Sequence, residues 1–241
     1  MPIWYDYCNS PNVFLKRKPM RESLKHCKGL FTLSEYFAEW LRYQVDCPVS
    51  SLTHPTMDVE KKFTMEKFEA NTDVKIFQIG FWLRSTLSIQ MLPTEKYTKV
   101  WIRPIEYAKD YLDREKRTLD THGKIIGRYK AKAWVSHDHY DELLSKNIVF
   151  INLLDASANN AIIECIVRNT PILVNRHPAV KEYLGGDYPF FYDTLDEAAK
   201  FVEDEARIEA AHEYLKRIDK TVFTQEHFLK SFVNSEVCQS L

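Results

Sequence analysis

The sequence lacks a surplus of either charge. Its 33 Lys and Arg meet 34 Asp and Glu, for a formal net charge of -1 and a pI near 6.7. A nucleic-acid partner is therefore not expected, because such proteins carry a basic excess. It also lacks a cysteine framework. The five cysteines, at positions 8, 27, 47, 165 and 238, are odd in number, and none stands in Cys-x-x-Cys spacing. That argues against a zinc site and a disulfide scaffold and fits a reducing, cytoplasmic compartment. No run of about 18 apolar residues occurs, so no transmembrane helix is expected. The opening Met-Pro-Ile-Trp-Tyr-Asp has no basic stretch leading into an apolar one, so no signal peptide is expected. No Gly-x-Gly-x-x-Gly follows an apolar run, which disfavours a dinucleotide oxidoreductase or an epimerase. Internal repeats and low-complexity stretches are missing too.

What is present is ordinary globular material. The 241 residues are 45% hydrophobic and 28% charged, enough for one large core or two small ones. Gly29 opens a short apolar strand, Leu30–Leu33. Ser34 is a good N-cap for a helix over 35–43, whose Phe37, Trp40 and Leu41 share one face. A helix closing around Ser23–Cys27 is expected before it, and a strand over Val49–Leu52 after it. Residues 56–74 are charged and irregular and read as a linker. Strands are then expected at Val74–Ile79, Lys99–Ile102, Ala133–Val135, Ile148–Leu153, Pro171–Val174 and Phe190–Tyr192. Helices are expected at Ile105–Leu119, Tyr140–Leu144, Asn160–Val167, Ala179–Leu184 and Leu195–Val202, with a helical tail over 205–235. This alternation predicts βαβ units and an α/β fold with a Rossmann-like parallel sheet and flanking helices.

In such a sheet ligands bind beyond the carboxyl ends of the strands, near the point where strand order reverses. Two loops carry chemistry there. In Gln78-Ile79-Gly80-Phe81-Trp82-Leu83-Arg84-Ser85, Gly80 permits a sharp turn or a close approach. Arg84 is then either a surface residue after that turn or a bidentate clamp for a diphosphate. In the run from Asn152 to Glu164, a hydrophobic strand enters a small polar loop and then a helix. Ser157, Asn159 and Asn160 can cap that helix, whose free amides make an anion site. Glu164 stands one turn inside, either solvated or placed to accept from ribose hydroxyls. A third loop holds Arg176 and His177. His177 reads first as a structural or exposed histidine.

The ordered set of these pieces, from about Cys27 to Tyr192, resembles the donor-binding half of GT-B glycosyltransferases, and in particular their large retaining group called family four. The early segment is Leu30-Phe31-Thr32-Leu33-Ser34-Glu35 through Val49-Ser50-Ser51-Leu52-Thr53-His54-Pro55. The next strand and its arginine are Ile76–Gly80 with Arg84. The late signature is Ser157 to Glu164, then Thr170-Pro171 with its strand, then Glu182. The resemblance implies transfer of a sugar from a nucleoside-diphosphate donor to an acceptor of unknown kind, a glycan, a lipid or a protein glycan. The donor would be held by Gly80, Arg84, Ser157, Asn159, Asn160, Ala161 and Glu164, with Asp155, His177 and Glu182 as candidate contacts to the donor sugar. Arg84 would hold the diphosphate and Glu164 the ribose. No cofactor is implied, and such folds generally work without a metal, in keeping with the missing Asp-x-Asp. The family usually carries a second glutamate eight positions before the first; here Ala156 stands there, beside Asp155. Residues 1–72 would be a partial acceptor-side region and 73–241 the nucleotide-sugar-binding domain. A partner chain or a second copy is a candidate to complete the acceptor side. No catalytic base is assigned. A non-catalytic binding module, or one part of a larger glycosyltransferase, is the alternative.

Overall fold

The structure is a computed structural model that describes residues 10–102, 105–118, 128–133, 135–156 and 158–240. Ser157, among the expected donor contacts, and Trp134 lie outside the described residues. Two parallel sheets organise the chain. The smaller pairs β1 (Leu30–Thr32) with β2 (Val49–Ser51), Leu30 opposite Val49. Two short helices precede it, α1 (Pro11–Phe14) and α2 (Lys18–Leu24), and α3 (Glu35–Arg42) joins its strands. As expected, Ser34 caps α3 by accepting from the Phe37 amide. α2 starts earlier than the Ser23–Cys27 segment, because Pro19 in its first turn has the fixed φ of a helix start.

Residues 56–74 are more than a linker. They hold α4 (Met65–Glu69), capped by Thr64, and they bring Phe63 and Phe68 into the main core at 1% and 4% exposure. The Phe63 amide also donates to the Arg168 carbonyl at 2.8 Å. The charged residues between the two phenylalanines hid this anchor in the sequence.

The larger sheet is built from β3 (Lys75–Ile79), β4 (Thr98–Ile102), β5 (Tyr129–Lys132), β6 (Ile148–Ile151), β7 (Ile172–Asn175) and β8 (Phe191–Tyr192). Its spatial order is β5-β4-β3-β6-β7-β8, with every neighbouring pair parallel. The connecting helices are α5 (Ser88–Met91), α6 (Ile105–Thr118), α7 (His137–Leu144), α8 (Asn160–Arg168), α9 (Pro178–Leu184) and α10 (Leu195–Glu203). Every residue of β6 is buried, as the near-continuous apolar run of a central parallel strand requires. The fifth strand falls at Tyr129–Lys132 instead of Ala133–Val135. It lies at the sheet edge with Lys130 and Ala131 exposed, and a lysine-bearing edge lacks the apolar run that marks an inner strand.

Strand order reverses between β3 and β6. The chain runs outward from β3 through β4 to β5, then returns to the other side of β3. The crevice at that reversal therefore lies between the loops after β3 and after β6. Finally α11 (Glu205–Arg217), a 3-10 turn at Thr221–Phe223, α12 (Gln225–Val233) and α13 (Glu236–Gln239) carry the C-terminal stretch back to the small sheet. The Thr56 amide donates to the Phe223 carbonyl at 2.9 Å, and the Phe31 and Phe232 rings sit 5.0 Å apart. Among the described residues, no helix is long and apolar enough to cross a membrane.

Two tests follow from this packing. Phe63→Ala should cost about 3–5 kcal/mol in denaturant unfolding, whereas a loose linker position would stay within about 0.5 kcal/mol. Glu35 bonds Arg42 and Ser51, and the Arg42 guanidinium holds its carboxyl below the usual value of 4.5. Its support is present above the unfolded value and fades as pH falls through the lower folded one. The melting-temperature gap between wild type and Glu35→Gln should therefore be open at neutral pH and close in acid.

Candidate functional site

The loop after β3 turns at Gly80, and three features fix that turn. The Gly80 amide donates to the Ile102 carbonyl at 2.9 Å, and its carbonyl accepts from Trp101 Nε1 at 2.8 Å. Its φ is +72°, a conformation that L side chains rarely adopt. A Cβ added there would lie 2.5 Å from Arg84 Nη1. The missing side chain is thus the space the guanidinium fills.

The loop then locks onto the loop after β6. The Ser85 amide donates to the Asn152 carbonyl at 2.8 Å, and the Leu154 amide to the Leu83 carbonyl at 2.9 Å. Arg84 and Leu153 form an isolated antiparallel bridge. Leu83 accepts a φ of +57° to make this crossing. Asn175, at the end of β7, grips both sides of Leu153, its Nδ2 donating to the carbonyl at 2.9 Å and its Oδ1 accepting from the amide at 2.7 Å. Glu115 of α6, buried, supports the other flank by accepting from Ser85 Oγ, the Thr86 hydroxyl and the Thr86 and Leu87 amides. Four charge-assisted bonds to one carboxylate make a stiff clasp.

Arg84 Nη2 donates to Asn159 Oδ1 at 2.8 Å. Asn159 does occupy the N-cap position of α8, but its side chain makes no capping bond. The guanidinium has taken the oxygen that would otherwise have satisfied the helix. The first-turn amides, around Asn160 and Ala161, are left without a side-chain cap beside a cation, the arrangement that receives anions. Arg84 Nε is buried without a hydrogen-bond partner among the described residues. Burial lowers the guanidinium pKa to about 10, with the Tyr140 and Glu164 side chains pulling the other way. The group stays cationic at neutral pH.

Gly80, Arg84, Asp155, Ala156, Asn159, Asn160, Ala161 and Glu164 all line one cleft of about 640 Å³. The structure therefore brings together most of the residues singled out in the sequence. It adds Tyr140, Trp82, Arg168, His137, and Thr56 and Met57 from the supposed linker. Tyr140 donates to Glu164 Oε2 at 2.6 Å. Arg168 ties the two helices, its Nη2 bonding Asp141 at 2.6 Å and its Nη1 the Glu164 carbonyl at 3.1 Å. Burial pushes the Tyr140 phenol well up, and the neighbouring Glu164 charge adds to it. Tyr140 thus remains a donor, and Glu164 keeps an oxygen for the cleft. Nothing in the linear spacing of Tyr140 and Glu164, on separate helices, pairs them.

The third loop is placed differently. His177 is absent from the cleft lining and stands behind Asp155. Its Nδ1 accepts from the Ala179 amide at 3.2 Å as the N-cap of α9, so Nε2 carries the proton, and it lies 3.4 Å from Asp155 Oδ1. Asp155 is 1% exposed, and its Oδ2 has no hydrogen-bond partner among the described residues. Burial and the Asp155 carboxylate raise the Tyr36 phenol to about 12. Glu182, expected at the donor sugar, faces α3 instead. Its carboxylate accepts from the Glu35 amide at 2.8 Å and the Tyr36 amide at 2.6 Å. An anion at the open start of α3 satisfies two orphan donors. That use, hidden in a contact between residues 146 and 147 positions apart, no local pattern could reveal.

No protein-family model and no curated protein matches the sequence. Solved structures do match in shape. Anabaena HepE, solved with UDP and glucose, superposes with a TM-score of 0.69 at 11% identity, over 92% of this chain and 66% of that one. A sucrose-phosphate synthase from Thermosynechococcus elongatus gives 0.63 at 11% identity, over 90% and 61%. A glycosyltransferase from Rickettsia africae gives 0.56 at 14% identity, over 91% and 68%. The fold is that of GT-B glycosyltransferases, and the chain spans about two thirds of the length of these proteins.

The fit of Arg84 against Gly80 is testable by a double-mutant cycle. Gly80→Ala should cost about 1–2 kcal/mol from its left-handed φ alone, and more from the clash. In an Arg84→Ala background the clash disappears, so the cost should drop. Equal costs in both backgrounds, read from urea unfolding, would mean the two residues do not interact.

Proposed function

We propose that the chain is a glycosyltransferase that uses a nucleoside-diphosphate sugar as donor. In this reading the diphosphate lies between the Arg84 guanidinium and the first turn of α8, and the ribose hydroxyls meet Glu164. The observation that carries it is the Arg84–Asn159 bond, which strips the helix of its cap and sets a cation beside the freed amides. Support comes from the place of the cleft at the reversal of strand order and from the fold shared with a protein solved with UDP and glucose.

The chemistry follows from the charges. Breaking the bond between the sugar and the diphosphate leaves negative charge on the departing phosphate. Arg84 and the α8 amides are already oriented toward that charge, so they stabilise it without reorganising. Asp155, buried next to the cleft with one oxygen unpartnered, suits a hydroxyl of the transferred sugar, since an unmet buried acceptor costs roughly 1–3 kcal/mol until a donor arrives. It stands one residue from Ala156, where the resembled family carries its second glutamate. The division into an acceptor-side region over 1–72 and a donor domain over 73–241 belongs to this proposal, with α12 and α13 crossing back onto the acceptor side. The second reading, a nucleotide-sugar-binding module without transfer activity, is favoured by Ala156.

Calorimetric titration with UDP and GDP tests the pocket. Arg84→Ala should weaken nucleoside-diphosphate binding about 10- to 100-fold, the worth of a charge-assisted bond to phosphate. Unchanged affinity would remove the phosphate from this site. Tyr140→Phe should weaken binding by about 3- to 10-fold through a looser Glu164, and the loss should vanish for a diphosphate whose ribose hydroxyls are absent. Release of nucleoside diphosphate from UDP- or GDP-sugars, faster than in an Asp155→Asn variant, would separate an enzyme from a binding module.

A further inference from the structure

A second cleft, of about 770 Å³, lies away from the donor cleft, and its lining holds Lys16, Lys18, Arg21, Lys25 and Lys28 against only Glu22 and Asp46. In a chain of net charge -1, that is a strong local surplus. Glu22 is already taken by Lys25, at 2.9 Å. Among the described residues, Lys16, Lys18, Arg21 and Lys28 make no ion pair. All five bases are exposed. The helix that carries two of them, α2, buries no residue at all. Core packing therefore does not explain why these side chains are gathered here, and their mutual repulsion opposes it.

The position of this cleft separates it from the donor site. Cys27 and Lys28 lead into β1, and Asp46, Cys47 and Pro48 lead into β2, so the cleft sits at the amino ends of the small parallel pair. The opposite, carboxyl ends lead to Ser34 and α3, where Tyr36 meets His177 with ring centroids 5.1 Å apart and Glu182 binds the helix amides. That end faces the donor cleft through Asp155. The basic cleft is on the far side.

We infer that the basic cleft is a binding site for a phosphate-bearing polyanion, independent of the donor pocket. Four of its five cations are lysines, compact point charges that pair with phosphate oxygens without needing a planar fork. A ligand with several negative charges relieves the repulsion among the bases. A cavity of this size holds a short oligophosphate or a single phosphorylated headgroup, and the phosphate is the part both share.

The test uses the full chain saturated with UDP, so that the donor pocket is closed to competing phosphate. Tripolyphosphate is titrated by calorimetry, and vesicles of phosphatidylglycerol are offered in parallel by flotation, with phosphatidylcholine vesicles as the neutral control. The variant combines Lys18→Glu, Arg21→Glu and Lys28→Glu, all at exposed positions, and its UDP affinity verifies the fold. Alkylation of Cys27 and Cys47, which line the cleft, reads occupancy directly as slower labelling. The expected result is binding of tripolyphosphate that weakens at least tenfold in the variant, protection of both thiols, and unaltered UDP affinity. Binding to phosphatidylglycerol alone, lost in the variant, supports the same site with a lipid headgroup as its source. Binding of neither probe, or binding that the variant leaves unchanged, overturns the inference.

Discussion

The site depends on the Arg84 guanidinium being held between Gly80 and Asn159. Gly80 supplies the space because it has no side chain and a positive φ, and its peptide is pinned on both sides by β4. Asn159 supplies the acceptor. The bond costs α8 its side-chain cap, which in an ordinary helix would be a loss of about 1 kcal/mol. Here it gives the start of the helix a fixed positive charge and unclaimed amides. In the proposed function, that structural deficit at a strand reversal is what makes a preorganised anion site.

Rigidity around that guanidinium comes both from groups behind the cleft, Glu115 and Asn175, and from the cleft wall itself. Glu115 clasps the turn after Arg84, and Asn175 holds Leu153 from the neighbouring strand. Arg168 joins α7 to α8 through Asp141, which sets Tyr140 against Glu164. These buried polar networks are worthwhile because nearly every member is satisfied. Two of the three buried side-chain atoms left unpartnered among the described residues, Arg84 Nε and Asp155 Oδ2, flank the cleft itself.

The small sheet is tied to the large one by polar contacts of the same kind. Glu182 binds the start of α3, the Tyr183 hydroxyl donates to the Leu33 carbonyl at 2.7 Å, and Tyr36 packs on His177. Burial raises the Glu182 carboxyl above its usual value despite the two amide bonds it accepts. Glu182 therefore adds most to stability at low pH, and its contribution falls as pH rises through the raised value, because burying the charge costs more than the two amide bonds return. His177 and Glu182, expected from sequence as candidate contacts to a sugar, also join the two sheets.

The sequence by itself determined the α/β alternation and the sites of β3, β6 and β7, because central parallel strands must be apolar on both faces. It also exposed Gly80, Arg84, Asn159 and Glu164, because loops after such strands are where ligands bind. It could not show the edge strand at Tyr129–Lys132, whose Lys130 and Ala131 are exposed, or the anchoring of Phe63 amid charged neighbours. Only the tertiary structure decided what each polar side chain is bonded to. Asn159 stands where it could cap its own helix, and its oxygen went instead to a guanidinium 75 positions earlier; Glu182 went to amides nearly 150 positions away. Hydrogen bonds are short-ranged in space and indifferent to sequence separation, so the partner of a polar group is fixed only when the fold brings the chains together.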